Sequence, residues 1–211
     1  MIAAQNIGLE FGGDPLFSGV NFTINRTDRI GLVGSNGAGK TTLMRILIGE
    51  QVPTYGEIVA QSGLDIGYLR QEPSALGDRS VREEVLSARG ELIETEARIA
   101  ELSGLVSEAY DAGETEKGEK LLTELGELQH RFEGMDGFGA RGSVEKILMG
   151  LGFLPDDLDR PCAEFSGGWQ MRIELAKLLL VEPDLLMLDE PTNHLDIESL
   201  TWLEDFLVKY P

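Results

Sequence analysis

The chain has 211 residues, 42% of them hydrophobic, and a formal net charge of −19 at pH 7. That length holds one large domain or one domain with a subdomain, with enough apolar material for a true core. A surface this acidic argues against broad direct binding to nucleic acid, because it repels a phosphate backbone. The single cysteine, Cys162, excludes an internal disulfide and a Cys-rich zinc site. No Lys or Arg precedes Arg26, so the start does not read as a secretory signal. No apolar run reaches the roughly 18 residues of a membrane span. These features together predict a reduced, cytoplasmic setting.

In chain order, Ile2 to Phe11 shows partial alternation of apolar and polar residues, and Gly12-Gly13-Asp14-Pro15 is turn chemistry. Val20 to Ile24 alternates cleanly, as a half-buried strand does. Asn25 to Arg29 turns the chain. Ile30-Gly31-Leu32-Val33 is a short apolar run bounded by turn residues, which predicts a buried strand. Phe11 is either a strand-end core residue or an aromatic placed to stack on a base.

The run Gly34-Ser35-Asn36-Gly37-Ala38-Gly39-Lys40-Thr41-Thr42 follows, with the phosphate-loop spacing G-x-x-x-x-G-K-T. The glycines Gly34, Gly37 and Gly39 let backbone N–H groups approach phosphate oxygens without a Cβ in the way. The helix beginning near Lys40 aims its free N–H groups at the same oxygens and ends at Gly49. Lys40 supplies a positive charge to the β- and γ-phosphates, and the Thr41 hydroxyl is a ligand for Mg²⁺. Gly56–Ala60 and Leu64–Leu69 read as two further strands. The second runs into Arg70-Gln71-Glu72-Pro73, where Gln71 is either solvated or in contact with Mg²⁺ or a water.

From Val81 to about Met135 the pattern changes to a spacing of three and four. A seam runs through Val85, Ala88, Leu92, Thr95, Ile99, Leu102, Val106 and Ala109. Tyr110 to Thr115 breaks it, and a second seam follows through Leu121, Leu125, Leu128, Phe132 and Met135. Two such helices with a short break predict an antiparallel hairpin. Residues 81–135 carry 14 Asp/Glu against 6 Lys/Arg, so its outer faces are acidic. It reads equally as a solvated insertion or as an arm that touches a partner. Gly137 to Gly142 reads as flexible, with a helix from Ser143 to Gly150.

Phe165-Ser166-Gly167-Gly168-Trp169-Gln170-Met171-Arg172 opens an apolar helix, with Ser166 at a second anion-binding helix start. Ser166 is no nucleophile-elbow serine, since no glycine stands two residues before it. Leu185 to Leu188 is an apolar strand ending in Asp189-Glu190. Adjacent carboxylates at a buried strand end are costly unless they face a cation or a reacting group. In phosphoryl transfer such an Asp holds the Mg²⁺ shell and a neighbouring Glu takes a proton from water. Pro191 to Asp196 is a loop, with His194 a loop contact, and Ile197 to Lys209 is a last amphipathic helix.

The phosphate loop, Gln71, the Ser-Gly-Gly helix and Leu188-Asp189-Glu190-Pro191, in this order, resemble an ATP-binding-cassette ATPase domain over essentially all 211 residues. Trp169 after the two glycines, and the run Asp189-Glu190-Pro191-Thr192-Asn193-His194-Leu195-Asp196, are similar to the F subfamily. Its members are soluble, carry two cassettes in one chain and act on ribosomes. The helical hairpin lies where that subfamily's first cassette has its arm.

The resemblance implies an α/β P-loop NTPase fold with an antiparallel β part, a parallel core sheet and a helical subdomain. It divides the chain into a nucleotide-binding core at 1–80, a helical subdomain at 81–164 whose arm is about 81–135, and a second core part at 165–211. It assigns ATP binding to Phe11 and to Gly34, Ser35, Asn36, Gly37, Ala38, Gly39, Lys40, Thr41 and Thr42. Catalysis falls to Glu190 as general base and Gln71 as sensor of the γ-phosphate, with Thr41, Gln71 and Asp189 at Mg²⁺. Ser166, Gly167 and Gly168 become contacts to ATP on the opposite cassette, and Asp196 part of the loop between the two sites. The implied cofactors are ATP and Mg²⁺, and the implied partners are a second cassette and the ribosome, with no membrane segment. Because the family continues to a further strand and a Ser-His-Asp segment, the resemblance also implies an N-terminal cassette fragment that lacks C-terminal core strands and is inactive alone. The alternative is the ATP-binding subunit of a membrane transporter.

Overall fold

A computed structural model describes residues 1–71 and 76–210. Glu72 and Pro73 of the expected loop, and Pro211, lie outside the described residues. Two units emerge. The first comprises 1–71, 182–191 and 209–211, and the second 72–181 and 192–208.

In the first unit, β1 (Ile2–Phe11) is the middle strand of an antiparallel sheet, between β2 (Asp14–Ile24) and β3 (Tyr55–Ala60). Its partial alternation has a local cause. Asn6 sits at φ 51 and the ladder shifts register between Ala4 and Ile7. This bulge adds one residue to the period of two, so Ile2, Ala4, Ile7 and Leu9 are all buried. The bulge is tied down where Asn6 N donates to Asn21 Oδ1 at 2.8 Å.

Helix α1 (Lys40–Leu47) buries Ile46 among Ala4, Ile7 and Leu9, and Leu47 beside Ile2 and Met187. Burial of each such side chain is worth about 1.5–3 kcal/mol, more than the helix propensity of eight residues supplies. The strands β4 (Ile66–Leu69) and β5 (Leu185–Leu188) pair in parallel, with Ile66 opposite Leu185 and Leu69 opposite Leu188.

The expected strand at Ile30–Val33 does not form. Ile30 is 61% exposed and Val33 93%, and no ladder includes them among the described residues. An apolar run becomes a buried strand only when neighbours cover both faces and pair its backbone. Among the described residues the parallel pairing is that of β4 with β5, in a sheet separate from β1–β3.

In the second unit, α2 (Val81–Leu86) starts with a full capping box, Ser80 with Glu83. The long helices α3 (Gly90–Asp111) and α4 (Thr115–Gly134) form the predicted hairpin. Leu92, Thr95, Leu102 and Ala109 of the first seam are buried, as are Leu125 and Phe132 of the second. At the tip, the Tyr110 ring lies 2.9 Å from where a Cβ on Gly118 would stand, so a larger residue there would have to displace that ring. The first seam is not one continuous helix, since residues 87–89 make a single 3-10 turn.

The expected flexible segment at Gly137 to Gly142 is helical, part of α5 (Gly137–Gly150). Glycine costs about 1 kcal/mol in a helix interior, which is why the sequence reads as loose. Tertiary contacts outweigh that cost. Ala140 is fully buried with Leu92 and Phe132, Phe138 meets Phe132 edge to face at 5.3 Å, and Arg141 pairs with Glu96. Helix α6 (Gly167–Val181) buries Met171, Ile173, Leu175, Ala176 and Leu179, and α7 (Ile197–Lys209) buries Ser199 and Leu203. Among the described residues no helix is long and apolar enough to cross a membrane.

Candidate functional site

The phosphate-loop residues gather at one cavity of the first unit, about 550 Å³, lined by Phe11, Leu16, Asn36, Gly37, Gly39, Lys40, Thr41, Thr42, Gln71 and Glu190. The sequence singles out all of these but Leu16, which lies on β2 and carries no sequence signal of its own. Gly39 caps α1 at φ 92, and a Cβ there would stand 2.9 Å from the Phe17 ring and 3.1 Å from Leu16. Both the backbone angle and the contact demand glycine at this point.

Lys40 Nζ donates to the carbonyls of Gly34 at 2.9 Å and Ser35 at 3.1 Å, so the ammonium is held over the loop. Ala38 N donates to Ser35 O at 3.2 Å and closes the turn. Gly34, Ser35 and Ala38 shape the loop without lining the cavity. Phe11, at the end of β1, is 60% exposed and presents its ring at the cavity. An aromatic in that position offers a stacking surface for a planar base.

The two carboxylates after β5 have different surroundings. Glu190 lines the cavity and has φ 51, a left-handed backbone conformation that costs a non-glycine residue on the order of 1 kcal/mol. Such strain concentrates at functional sites. Asp189 is 3% exposed and accepts from the Tyr68 hydroxyl at 3.3 Å through Oδ2. Burial first, then the adjoining Asp189, raises the Tyr68 phenol above its ordinary value, while Arg45 acts in the opposite direction. The phenol is therefore a protonated donor at neutral pH.

Among the described residues no three His, Cys, Asp or Glu side chains converge as a metal cage. Of the residues expected at Mg²⁺, Thr41 and Gln71 line the cavity, whereas Asp189 is not among its lining residues. A hydroxyl and an amide oxygen suit Mg²⁺, which is bound with substrate phosphates and water rather than in an all-protein cage. The buried Cys162 thiol is pushed up to about 11 by burial, so it is no nucleophile near neutral pH.

In the second unit, Ser166 and Gly167 are exposed at the start of α6. Arg172, one and a half turns along, is 8% exposed. It donates to the carbonyls of Leu151 (2.8 Å) and His194 (2.8 Å) and to Asp196 Oδ2 (2.9 Å), and its guanidinium lies 4.4 Å from the centroid of the Trp169 ring. Asp196 Oδ1 also accepts from Ser199 N at 2.8 Å, which makes it the cap of α7. Arg172 escaped sequence reasoning because an arginine on a helix is usually solvated, and its acceptors Leu151, His194 and Asp196 lie more than 20 residues away in the chain.

Residues 17–193 match the family described as ABC transporter. ABC transporter F family member 2 of Arabidopsis thaliana is 38% identical over 209 residues, 99% of this chain and 30% of that protein. The energy-dependent translational throttle protein EttA of Mycobacterium tuberculosis (strain ATCC 25618 / H37Rv) is 38% identical over 183 residues, 87% of this chain and 31% of that protein. The chain thus spans about a third of the length of these curated relatives. Among solved structures, an ABC transporter ATP-binding protein from Pyrococcus furiosus superposes with a TM-score of 0.66 at 18% identity, covering 99% of this chain and 84% of that one. A dimeric ATP-binding cassette in a post-hydrolysis state, bound to ADP and Pi, superposes with a TM-score of 0.64 at 19% identity, covering 99% and 82%. These two show the fold alone. With a phosphate loop, a Gln71 loop and an Asp-Glu strand end in the order and over the span of that family, the chain belongs to the ABC transporter family of ATP-binding domains.

Proposed function

We propose that the chain is an ATP-hydrolysing cassette of an F-type protein that works in a pair with a second cassette and acts on the ribosome. One observation carries the chemical part: the phosphate loop, Phe11, Gln71 and Glu190 line one cavity. In this reading Phe11 stacks on adenine, backbone N–H groups of 34–42 hold the phosphates, and Lys40 leaves its loop carbonyls for the β- and γ-phosphates. Glu190 takes the proton of the attacking water, and Gln71 orients that water. Thr41, Asp189 and Gln71 would hold Mg²⁺, which when bound neutralises charge on the phosphate oxygens.

The exposed Ser166 and Gly167 and the half-buried Gly168 stand at the start of α6, a helix start suited to the phosphates of ATP held by the opposite cassette. Asp196 lies in the loop between the two sites. The ribosome enters through similarity to a protein named as a translational throttle.

The test is pelleting with ribosomes. Full-length protein carrying Glu190→Gln should cosediment with ribosomes when ATP is present and not when it is absent. Adding Lys40→Ala should abolish that association. ATP binding without any ATP-dependent cosedimentation would retain the cassette and remove the ribosome.

A further inference from the structure

We propose that Tyr68 is a positioning residue for Asp189: its hydroxyl fixes one carboxylate oxygen so that the other is presented to the divalent cation. The inference rests on the reading of Asp189 given above.

The geometry comes from the parallel pairing of β4 and β5. Tyr68 stands opposite Met187 and Leu69 opposite Leu188, so the Tyr68 ring flanks the end of β5 where Asp189 begins. Asp189 is held from β4 at two points. Its N–H donates to Leu69 O at 3.3 Å, and its Oδ2 accepts from the Tyr68 hydroxyl at 3.3 Å. With the backbone held and Oδ2 engaged, the carboxylate of the 3% exposed Asp189 is restrained in its rotation.

The partly buried Tyr68 packs its ring against the apolar cluster of Ile2, Leu47 and Met187, and its hydroxyl is given to Asp189. Placing a hydroxyl in such surroundings costs free energy unless it is hydrogen-bonded. Arg45, on the helix α1 that carries Lys40 and Thr41 at its start, acts on the same phenol through its positive charge. Partners of this kind, one step removed from a metal, typically tune its affinity by one to two orders of magnitude when they hold a direct ligand. A single neutral hydroxyl at 3.3 Å belongs at the low end.

The test uses full-length protein in a Glu190→Gln background, so that nucleotide is not consumed. Affinity for a fluorescent ATP analogue is measured with excess Mg²⁺ and with chelator, and the ratio gives the gain due to metal. Tyr68→Phe should reduce that gain about 3- to 10-fold while leaving the affinity in chelator unchanged. Asp189→Asn should reduce it at least as much. A full gain in Tyr68→Phe beside a reduced gain in Asp189→Asn overturns the role of Tyr68 and leaves that of Asp189. A full gain in Asp189→Asn overturns both. If Tyr68→Phe weakens binding equally with and without metal, the hydroxyl serves only the packing of the site, and the positioning role is wrong.

Discussion

Arg172 and Asp196 form an ion pair at 2.9 Å that joins the helix following the Ser-Gly-Gly sequence to the loop preceding α7. Asp196 has two attachments, one to Arg172 and one to the Ser199 N–H, and the second makes it a helix cap as well as a candidate loop residue between sites. The Ser199 N–H first, then the Arg172 guanidinium, hold the Asp196 carboxyl down at about 2, below its ordinary 3.8. A carboxyl lowered on folding adds stability that is fully present above about pH 4 and is lost as the pH falls toward 2.

Asp196→Ala should therefore destabilise the protein by about 0.5–2 kcal/mol at pH 7, the usual cost of removing a cap. The side chain is 53% exposed, so the ion pair itself adds little to that figure. The gap from the parent should narrow between pH 4 and pH 2. Denaturant melts of both proteins across that range check it, and a gap that stays constant with pH would remove the charge from the account.

Lys40→Ala should weaken ATP binding by about 10- to 100-fold, the loss expected for a charge-assisted contact to phosphate. The ammonium is already held over the loop by Gly34 O and Ser35 O, so its removal leaves no buried cation and should not unfold the domain. Equilibrium binding of a labelled ATP analogue measures the effect, and unchanged affinity would take the loop out of phosphate recognition.

Glu190→Gln should keep ATP binding and slow hydrolysis by about 10²–10⁴-fold, since the amide preserves size and hydrogen bonding but accepts no proton. The left-handed backbone at this position tolerates the change, because Gln has the same shape at Cβ. Single-turnover phosphate release gives the rate. A rate near that of the parent would assign the base elsewhere.

The outer hairpin should be removable without loss of nucleotide binding. Arg98 and Glu124 face each other across the two helices through an ion pair at 2.8 Å, which marks a place to join them. Excising 100–123 and linking Ile99 to Glu124 by a short turn keeps the Leu92–Phe132–Ala140 cluster at the base together with Ile99, which packs against it. The shortened protein should bind ATP with parental affinity, whereas ribosome-stimulated hydrolysis should fall if the tip is a contact arm. Full stimulation would make the hairpin a solvated insertion.

Sequence alone determined those parts whose structure depends on near neighbours. Residues 34–42 form the phosphate loop because its glycines, its lysine and the helix start are consecutive, and the paired seams from Leu92 to Met135 specify a hairpin through their own spacing. Asp189-Glu190 was legible because two carboxylates after an apolar strand are expensive in any fold. Tertiary structure decided what depends on distant partners. Ile30–Val33 reads as a buried strand, but pairing comes from other segments, and those residues are exposed and in no ladder among the described residues. Gly137–Gly142 reads as loose, yet Phe132 and Leu92 pack it into a helix. The contact between Tyr68 and Asp189 joins residues 121 positions apart. No local pattern encodes such a contact, because hydrogen bonding of a buried carboxylate is settled only when two strands are laid side by side.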